Sequence, residues 1–379
     1  MKYCKKCLYP DTKPQLIFND KGVCSACENM KKKEMIDWNE KKKEFGLILE
    51  KYRNRDGKNY DCIIPVSGGK DSTYQTYVMK KEYGLNPLVV NFHPLDQTNI
   101  GKKNLDNLKK IGVDCIEFSP NPIIYQKLAK YGLTELGDFQ WPEHLGIFTI
   151  PVQIAVKYNI PLIMWGENPQ LEYGQPTDID KDTILDREWN EKNGGYFLDK
   201  IKPQDMTKYG FSISDLKPYL YPSDDEIKQV GVTGIFLGSY HKWDIFKQLE
   251  FVKTIGFSEN NEIMEGTYNK WENLDVYFTV FHDYFKFLKY GFGRTTDHVS
   301  IEIRYGRISR EDGIELVKKY DGKIPKKYLK EFLQAADISE KEFHSICDKF
   351  TNKELFLTDN SGNLIKDEQG NLKLKNQVC

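Results

Sequence analysis

The sequence lacks an excess of charge of either sign. Lys and Arg number 55 and Asp and Glu 56, a formal net charge of −1. A sequence-independent grip on DNA or RNA needs a basic face, so this balance argues against nucleic acid as the main partner and leaves room only for a local patch. Long apolar runs are missing too. None approaches the ~18 residues of a membrane span, and the longest, such as Ile160–Trp165, are strand-sized. The opening M-K-Y-C-K-K-C has no apolar core of a secretory signal. The expectation is a soluble protein of a reducing cytoplasm. There is no internal repeat, and 28 Gly with 16 Pro in 379 residues is ordinary usage, which excludes collagenous and low-complexity chains.

Cysteine is present in an uneven way. Of eight, four fall at positions 4, 7, 24 and 27, and the rest are scattered at 62, 115, 347 and 379. Front-loading of this kind in an enzyme-sized chain points to metal rather than to a disulfide framework. Cys4-x2-Cys7 and Cys24-x2-Cys27, with 16 residues between them, match the pattern of four thiolates on one tetrahedral zinc. Four ligands leave no open position, so the metal would be structural. An iron–sulfur cluster and redox-active pairs are the alternatives. Cys62 and Cys115 lie inside apolar runs and read as core.

Periodicity organises the remainder. Residues 31–53 read as one helix, with Met35, Trp38, Phe45, Leu49 and Tyr52 at roughly helical spacing. From residue 58, apolar strands alternate with helices. Strands are expected at 60–66, 87–92, 113–118, 160–166 and 234–239, and helices at 72–83, 102–110 and 147–158. This is the signature of an α/β fold, a doubly wound parallel sheet covered on both faces. The stretch 169–230, rich in Asp, Gly, Pro and Tyr, breaks the rhythm and reads as an insertion beside the site. Residues 242–290 look helical, 311–350 hold two short helices, and a hairpin is expected around Asn360-Ser361-Gly362. The domain reading is a zinc module at 1–30, a linker helix at 31–57, the α/β domain at 58–240, a helical substrate or partner region at 241–350, and a tail at 351–379.

The sharpest motif is S-G-G-K-D-S, formed by Ser67, Gly68, Gly69, Lys70, Asp71 and Ser72, between an apolar strand and a helix. Helix-opening amides have no internal partners, and glycines let the backbone approach a phosphate closely. The two serines offer hydroxyls and Lys70 a positive charge. Asp71 is out of place in a simple anion nest, and its natural role is to hold Mg²⁺. Neither a Walker A loop nor a dinucleotide fingerprint is present.

The hexapeptide in this context resembles the PP-loop ATP pyrophosphatases, which include NAD and GMP synthetases, asparagine synthetase and tRNA thiolases. The resemblance implies an adenine nucleotide α-hydrolase-like sheet domain and cleavage of ATP between its α and β phosphates, with Mg²⁺. It places the nucleotide over the ends of the first, second and fourth strands, at Val66, at Asn91, Phe92 and His93, and at Gly166, Glu167 and Asn168. Glu167 and Asn168 would contact the α-phosphate or Mg²⁺.

Two branches of that superfamily open with paired cysteines. The tRNA 2-thiolation enzymes add catalytic cysteines and a basic RNA surface, and the net charge and the lack of a further C-x-x-C speak against them. The chain more closely resembles the N-acetyl sugar amidotransferases of surface-polysaccharide and nonulosonic acid biosynthesis. The blocks E-H-L-G-I (143–147), W-G-E-N-P (165–169), L-G-S-Y-H-K-W-D (237–244) and Y-G-F-G-R-T-T-D-H-V-S-I-E-I-R-Y-G-R-I-S-R-E-D (290–312) carry that likeness. It implies ATP-dependent conversion of an N-acetyl group to an acetamidino group. Lys242, Trp243, Arg294, Asp297, His298 and Arg304 are the candidate substrate contacts. His144 is the candidate to polarise the amide or guide ammonia. The chain shows no glutaminase signature, so the resemblance also implies a separate HisH-like glutaminase and a HisF-like ammonia-channelling subunit.

Overall fold

The computed structural model describes residues 1–175, 183–193 and 201–378. Parts of the expected insertion, residues 176–182 and 194–200, lie outside these, as does Cys379. Five strands form one sheet: β1 (Cys62–Pro65), β2 (Pro87–Phe92), β3 (Asp114–Phe118), β4 (Leu162–Trp165) and β5 (Thr233–Phe236), in the order β3-β2-β1-β4-β5. Every pairing is parallel, with Ile63 opposite both Leu88 and Ile163. A parallel sheet is buried on both faces, which is why β2 is an uninterrupted buried run, Pro87 to Phe92.

The two cores are sorted by strand alternation. Cys62, Ile64 and Val66 face one side with Phe45, Leu105, Met164, Ile235 and Trp243. Ile63, Leu88 and Val90 face the other, joined by Trp141 and by the C-terminal aromatics Phe281, Phe285, Phe332 and Phe343. The C-terminal helices therefore extend the core on that side.

The sheet edges are treated differently. Beside β5, Ile184 forms an antiparallel bridge to Ile235, and Leu185 N donates to Gly234 O at 2.9 Å. Among the described residues the other edge, β3, has no further strand beside it, and it carries exposed Asp114 and Glu117.

Several expected elements divide. The helix read over 31–53 is two, Ser25–Met35 and Trp38–Glu50. The first ends where Ile36 turns extended, and Asp37 caps the second, accepting from the backbone N–H groups of Asn39 and Glu40. Met35 is consequently 81% exposed rather than docked. The helix expected from 147 begins six residues earlier, at Trp141, with Pro142 in its first turn. The helical stretch read over 242–290 is two helices, Ile245–Thr254 and Thr279–Tyr290, with irregular chain between them. Residues 311–350 fall in three helices, Arg310–Tyr320, Leu329–Ala336 and Glu340–Phe350. The Thr358–Leu364 bridge closes the hairpin expected around Ser361. Cys62 is core, whereas Cys115 is only partly buried because β3 is an edge strand.

The irregular segment between those two helices is seated by backbone contact. Thr98 N donates to Asp275 O at 2.9 Å, and a Cβ on Gly101 would stand 2.6 Å from Asp275 Cα. The neighbouring turn of the same helix, Asn99–Lys109, presses on the S-G-G-K-D-S loop. Gly68 has φ +89°, and a Cβ there would lie 2.6 Å from Leu105 N. Glycine is required at 68 by both conformation and space.

The L-G-S-Y-H-K-W-D block packs the helix Trp38–Glu50 onto the sheet. Tyr240 stacks on Phe45 at 4.9 Å, and His241 Nε2 lies 2.7 Å from Tyr83 Oη. Burial, with the Lys42 charge behind it, pushes the His241 imidazole down to about 4. Its neutral form therefore stabilises the fold. That contribution is complete above the unfolded-state value of about 6.5 and is lost as pH falls toward 4. Urea unfolding should show the wild-type chain losing up to about 3 kcal/mol more than His241→Gln between pH 7 and pH 4. Parallel pH profiles for the two proteins would remove His241 from this role.

Candidate active site

A cavity of about 500 Å³ opens at the carboxyl ends of β1, β2 and β4. In this strand order the connections after β1 and β4 leave toward opposite faces, and the crevice between them is where such sheets bind ligands. Val66, Ser67, Gly69, Asp71 and Ser72 form one wall, with Asn91, Phe92, Gly166 and Glu167 beside them. Glu143, His144 and His282 stand opposite, and Asn273, Asp275 and Arg294 close the side.

The loop is built as its sequence suggests. β1 runs through Val66 into Gly69, which caps the helix Lys70–Tyr77 with no side-chain hydrogen bond of its own. The opening amides of that helix are thus left for a ligand. Ser67 Oγ accepts from Gly69 N at 3.3 Å, and Ser72 Oγ donates to Gly69 O at 3.2 Å. Lys70 turns away from the large cavity. Its ammonium is buried between Asp71 (2.7 Å) and Glu272 (2.8 Å) and lies over the Trp271 ring. Burial opposes its charge, but the two carboxylates outweigh burial and hold the ammonium above its ordinary range. Here it flanks a second recess of about 180 Å³, lined by residues 67–71 and 271–275.

The site has room for phosphate and a hard cation. Asp71 Oδ1 and Asn91 Oδ1 are buried without a partner. Burial first, and then the Asp71 charge, pushes the Glu167 carboxyl up to about 8, although Tyr173 Oη donates to it at 3.2 Å. Burial raises Asp275 as well. Carboxylates crowded at the mouth of an amide-lined loop form the oxygen donor set that Mg²⁺ takes, shared with phosphate. Asp71 and Glu167 would hold such an ion.

The structure brings together only part of the residue set read from the sequence. Asn91 also donates to Val66 O at 2.7 Å and so ties the ends of β1 and β2. His93 and Asn168 do not line the cavity. Asn168 caps the short helix Pro169–Tyr173 and donates to Ser239 Oγ at 3.0 Å. Among the candidate substrate contacts, Arg294 lines the cavity, held by Asp283 at 3.0 and 3.1 Å. His298 stacks on Trp271 and reaches Glu272 at 3.7 Å, behind Lys70. Asp297 is buried between Lys286 and Lys13. Lys242 is exposed outside the cavity. Trp243 is buried beneath Gly166, and its carbonyl accepts from Lys33 and Tyr305. Arg304 donates to Glu172 O at 2.9 Å and lies over the Tyr9 ring, beside the cysteine module.

Glu272, Asp275, Asp138 and His282 were not singled out from sequence. Asp138 lies behind His144 and His282, 3.5 and 2.9 Å from their Nδ1 atoms. The two imidazoles outweigh burial and hold the Asp138 carboxyl well below its usual range. Glu143 sits in the same wall, where burial and then Asp96 push its carboxyl well up. No local motif marks these positions; only tertiary folding collects them.

The four N-terminal cysteines converge. Cys4 and Cys27 sulfurs are 3.8 Å apart, Cys7 and Cys24 3.6 Å, and all four lie within 4.8 Å of one another. A tetrahedral ion with Zn–S bonds near 2.3 Å sets its sulfurs about 3.8 Å apart. Backbone N–H groups of Lys6 and Cys24 point at Cys4 Sγ, as they would to support a thiolate. The cluster is compatible with a closed zinc site. Cys24→Ser should cost one zinc per chain by elemental analysis and lower the melting temperature, because a structural ion contributes folding energy. Unchanged metal content and melting would dismiss the assignment.

Comparison with known proteins gives three findings. Residues 265–368 match the family model described as LPS biosynthesis protein WbpG-like, C-terminal domain. An uncharacterized protein of Methanocaldococcus jannaschii is 32% identical over 105 residues, which is 27% of this chain and 36% of the relative. The chain thus matches about a third of that relative's length. Among solved structures, similarity is found to the NMN synthetase of Francisella tularensis (TM-score 0.30, 14% identity, 52% of this chain and 91% of that one). It is also found to the NH3-dependent NAD synthetase of Campylobacter jejuni in complex with nitrate (TM-score 0.30, 14% identity, 61% and 100%). The segment that supplies Glu272, Asp275, His282, Arg294 and His298 lies within residues 265–368, the part of the chain that matches the WbpG-like C-terminal domain model.

Proposed function

We propose that the chain is an ATP-dependent, AMP-forming amidotransferase acting on an N-acetyl sugar. The observation that carries this reading is a shared wall. The S-G-G-K-D-S loop and the residues contributed by the WbpG-like segment border one cavity of about 500 Å³, within the size range of ligand pockets.

The loop amides and the Ser67 and Ser72 hydroxyls grip the departing pyrophosphate. Mg²⁺ on Asp71 and Glu167, when bound, neutralises phosphate charge. The sugar's amide oxygen attacks the α-phosphorus, and the bond to pyrophosphate breaks, giving an O-adenylyl imidate. Ammonia then adds to the imidate carbon, and AMP leaves with the former amide oxygen. The product carries C=NH where the N-acetyl group had C=O. An amide oxygen is a weak nucleophile, so the enzyme's contribution is positioning, worth roughly 7–11 kcal/mol when ideal, and preorganised charge. Arg294, fixed by Asp283, suits a carboxylate or phosphate on the sugar. His144 faces the cavity as the group that polarises the amide or guides ammonia. The ammonia comes from a separate HisH-like glutaminase through a HisF-like subunit, and the reaction takes place in the cytoplasm.

The test is to incubate the protein with ATP, Mg²⁺, an ammonium salt and candidate N-acetyl sugars. AMP, pyrophosphate and a sugar about 1 Da lighter are expected, oxygen having been exchanged for NH. AMP formed with tRNA and a sulfur donor, but with no sugar, would favour the thiolation reading instead. Asp71→Ala should lower turnover at least about 100-fold, the scale of losing one preorganised charge-stabilising group, while circular dichroism is unchanged. A normal rate would take Asp71 out of the metal role.

A further inference from the structure

One cluster in the cavity wall is unexplained by the phosphate loop. Asp138 follows the turn at Gly137 and is fixed by Gln140 N, which donates to its Oδ1 at 3.0 Å. The helix Trp141–Tyr158 delivers His144 to it and the helix Thr279–Tyr290 delivers His282. His282 Nδ1 stands 2.9 Å from Oδ1 and His144 Nδ1 3.5 Å from Oδ2. One ligand atom from each of the three residues falls within 4.8 Å of the other two. The two rings are nearly perpendicular, at 80° with centroids 5.0 Å apart, so their nitrogens converge on the carboxylate from different directions.

We propose that Asp138, His144 and His282 form a second metal site, distinct from the cysteine cluster and open to the cavity. The spacing carries the argument. An ion held at about 2.0–2.2 Å by imidazole and carboxylate sets adjacent ligand atoms roughly 2.9–3.5 Å apart. The two distances already present, one to each carboxylate oxygen, lie at the ends of that interval, and one ligand atom from each residue lies within 4.8 Å of the others. The donor set names the class. Two imidazoles and one carboxylate select a borderline divalent cation such as Zn²⁺, Fe²⁺ or Co²⁺ over Mg²⁺, which keeps to oxygen. Three protein ligands leave a coordination position free. Because His144 and His282 line the cavity while Asp138 lies behind them, that position faces its occupant and takes an oxygen or nitrogen donor from it. The site stands on this geometry and not on the reaction proposed above.

The experiment titrates Co²⁺ into the full-length protein as purified, its cysteine cluster already filled. Wild type should bind one Co²⁺ per chain by calorimetry. The visible spectrum should show weak d–d bands and no thiolate-to-cobalt charge transfer, which marks nitrogen and oxygen ligands rather than sulfur. His144→Ala and His282→Ala should each lose that equivalent while keeping the cysteine-bound metal by elemental analysis. Asp138→Asn serves as the third variant if either histidine variant melts early. No cobalt bound by the wild type, a thiolate spectrum, or variants that bind as the wild type does would each overturn the proposal, leaving a hydrogen-bonded His–Asp–His cluster.

Discussion

A lysine ammonium buried inside the phosphate loop sets the terms for the rest of the molecule. Removing such a charge from water costs several kcal/mol unless counter-charges and hydrogen bonds replace the lost hydration. Lys70 is satisfied by Asp71, its neighbour, and by Glu272, 202 residues later in the chain. The loop is therefore completed by the C-terminal segment. The support continues outward: His298 faces Glu272 with Nε2, and Asn269 donates to its Nδ1 at 2.7 Å. Lys70 occupies one oxygen of Asp71, and the other is buried without a partner.

The same dependence ties in the N-terminal module. Lys33, buried within the first helix, reaches Glu172, the Trp243 carbonyl and the Tyr305 hydroxyl. Arg304 spans from Tyr9 to the Glu172 carbonyl. Both contacts meet the chain just after the β4 turn that presents Glu167. The cysteine cluster thus braces the back of the site without lining it.

Features encoded locally were legible in the sequence. A strand, two glycines and a helix start make a phosphate loop wherever they occur, and each C-x-x-C makes a knuckle from four consecutive residues. The inner strands were visible because burial on both faces demands continuous apolar runs, and the edge strand β3 because Cys115, Ile116 and Phe118 still form an apolar stretch. The helix break at Asp37 was missed because an amphipathic stripe outweighed a single capping side chain. Glu272 and Asp275 were missed because they sit in irregular chain whose placement is decided by Thr98 and Gly101 on a distant helix. Distinctiveness of pattern was a poor guide to role. The L-G-S-Y-H-K-W-D block, read as substrate recognition, is occupied in packing through Tyr240, His241 and Trp243. Arg294, in the other such block, does reach the cavity.

The two edges of the sheet carry a consequence for the protein in crowded surroundings. An unpaired strand is a template on which another chain can extend the sheet. At β5 that template is already taken by residues 184 and 185. At β3 it is guarded by charge: Asp114 receives the Tyr60 hydroxyl, and Glu117 pairs with Lys109. A second copy approaching β3 would set like carboxylates against one another. Fibrillar stacking is thus discouraged at both borders, by occupation at one and by electrostatic repulsion at the other.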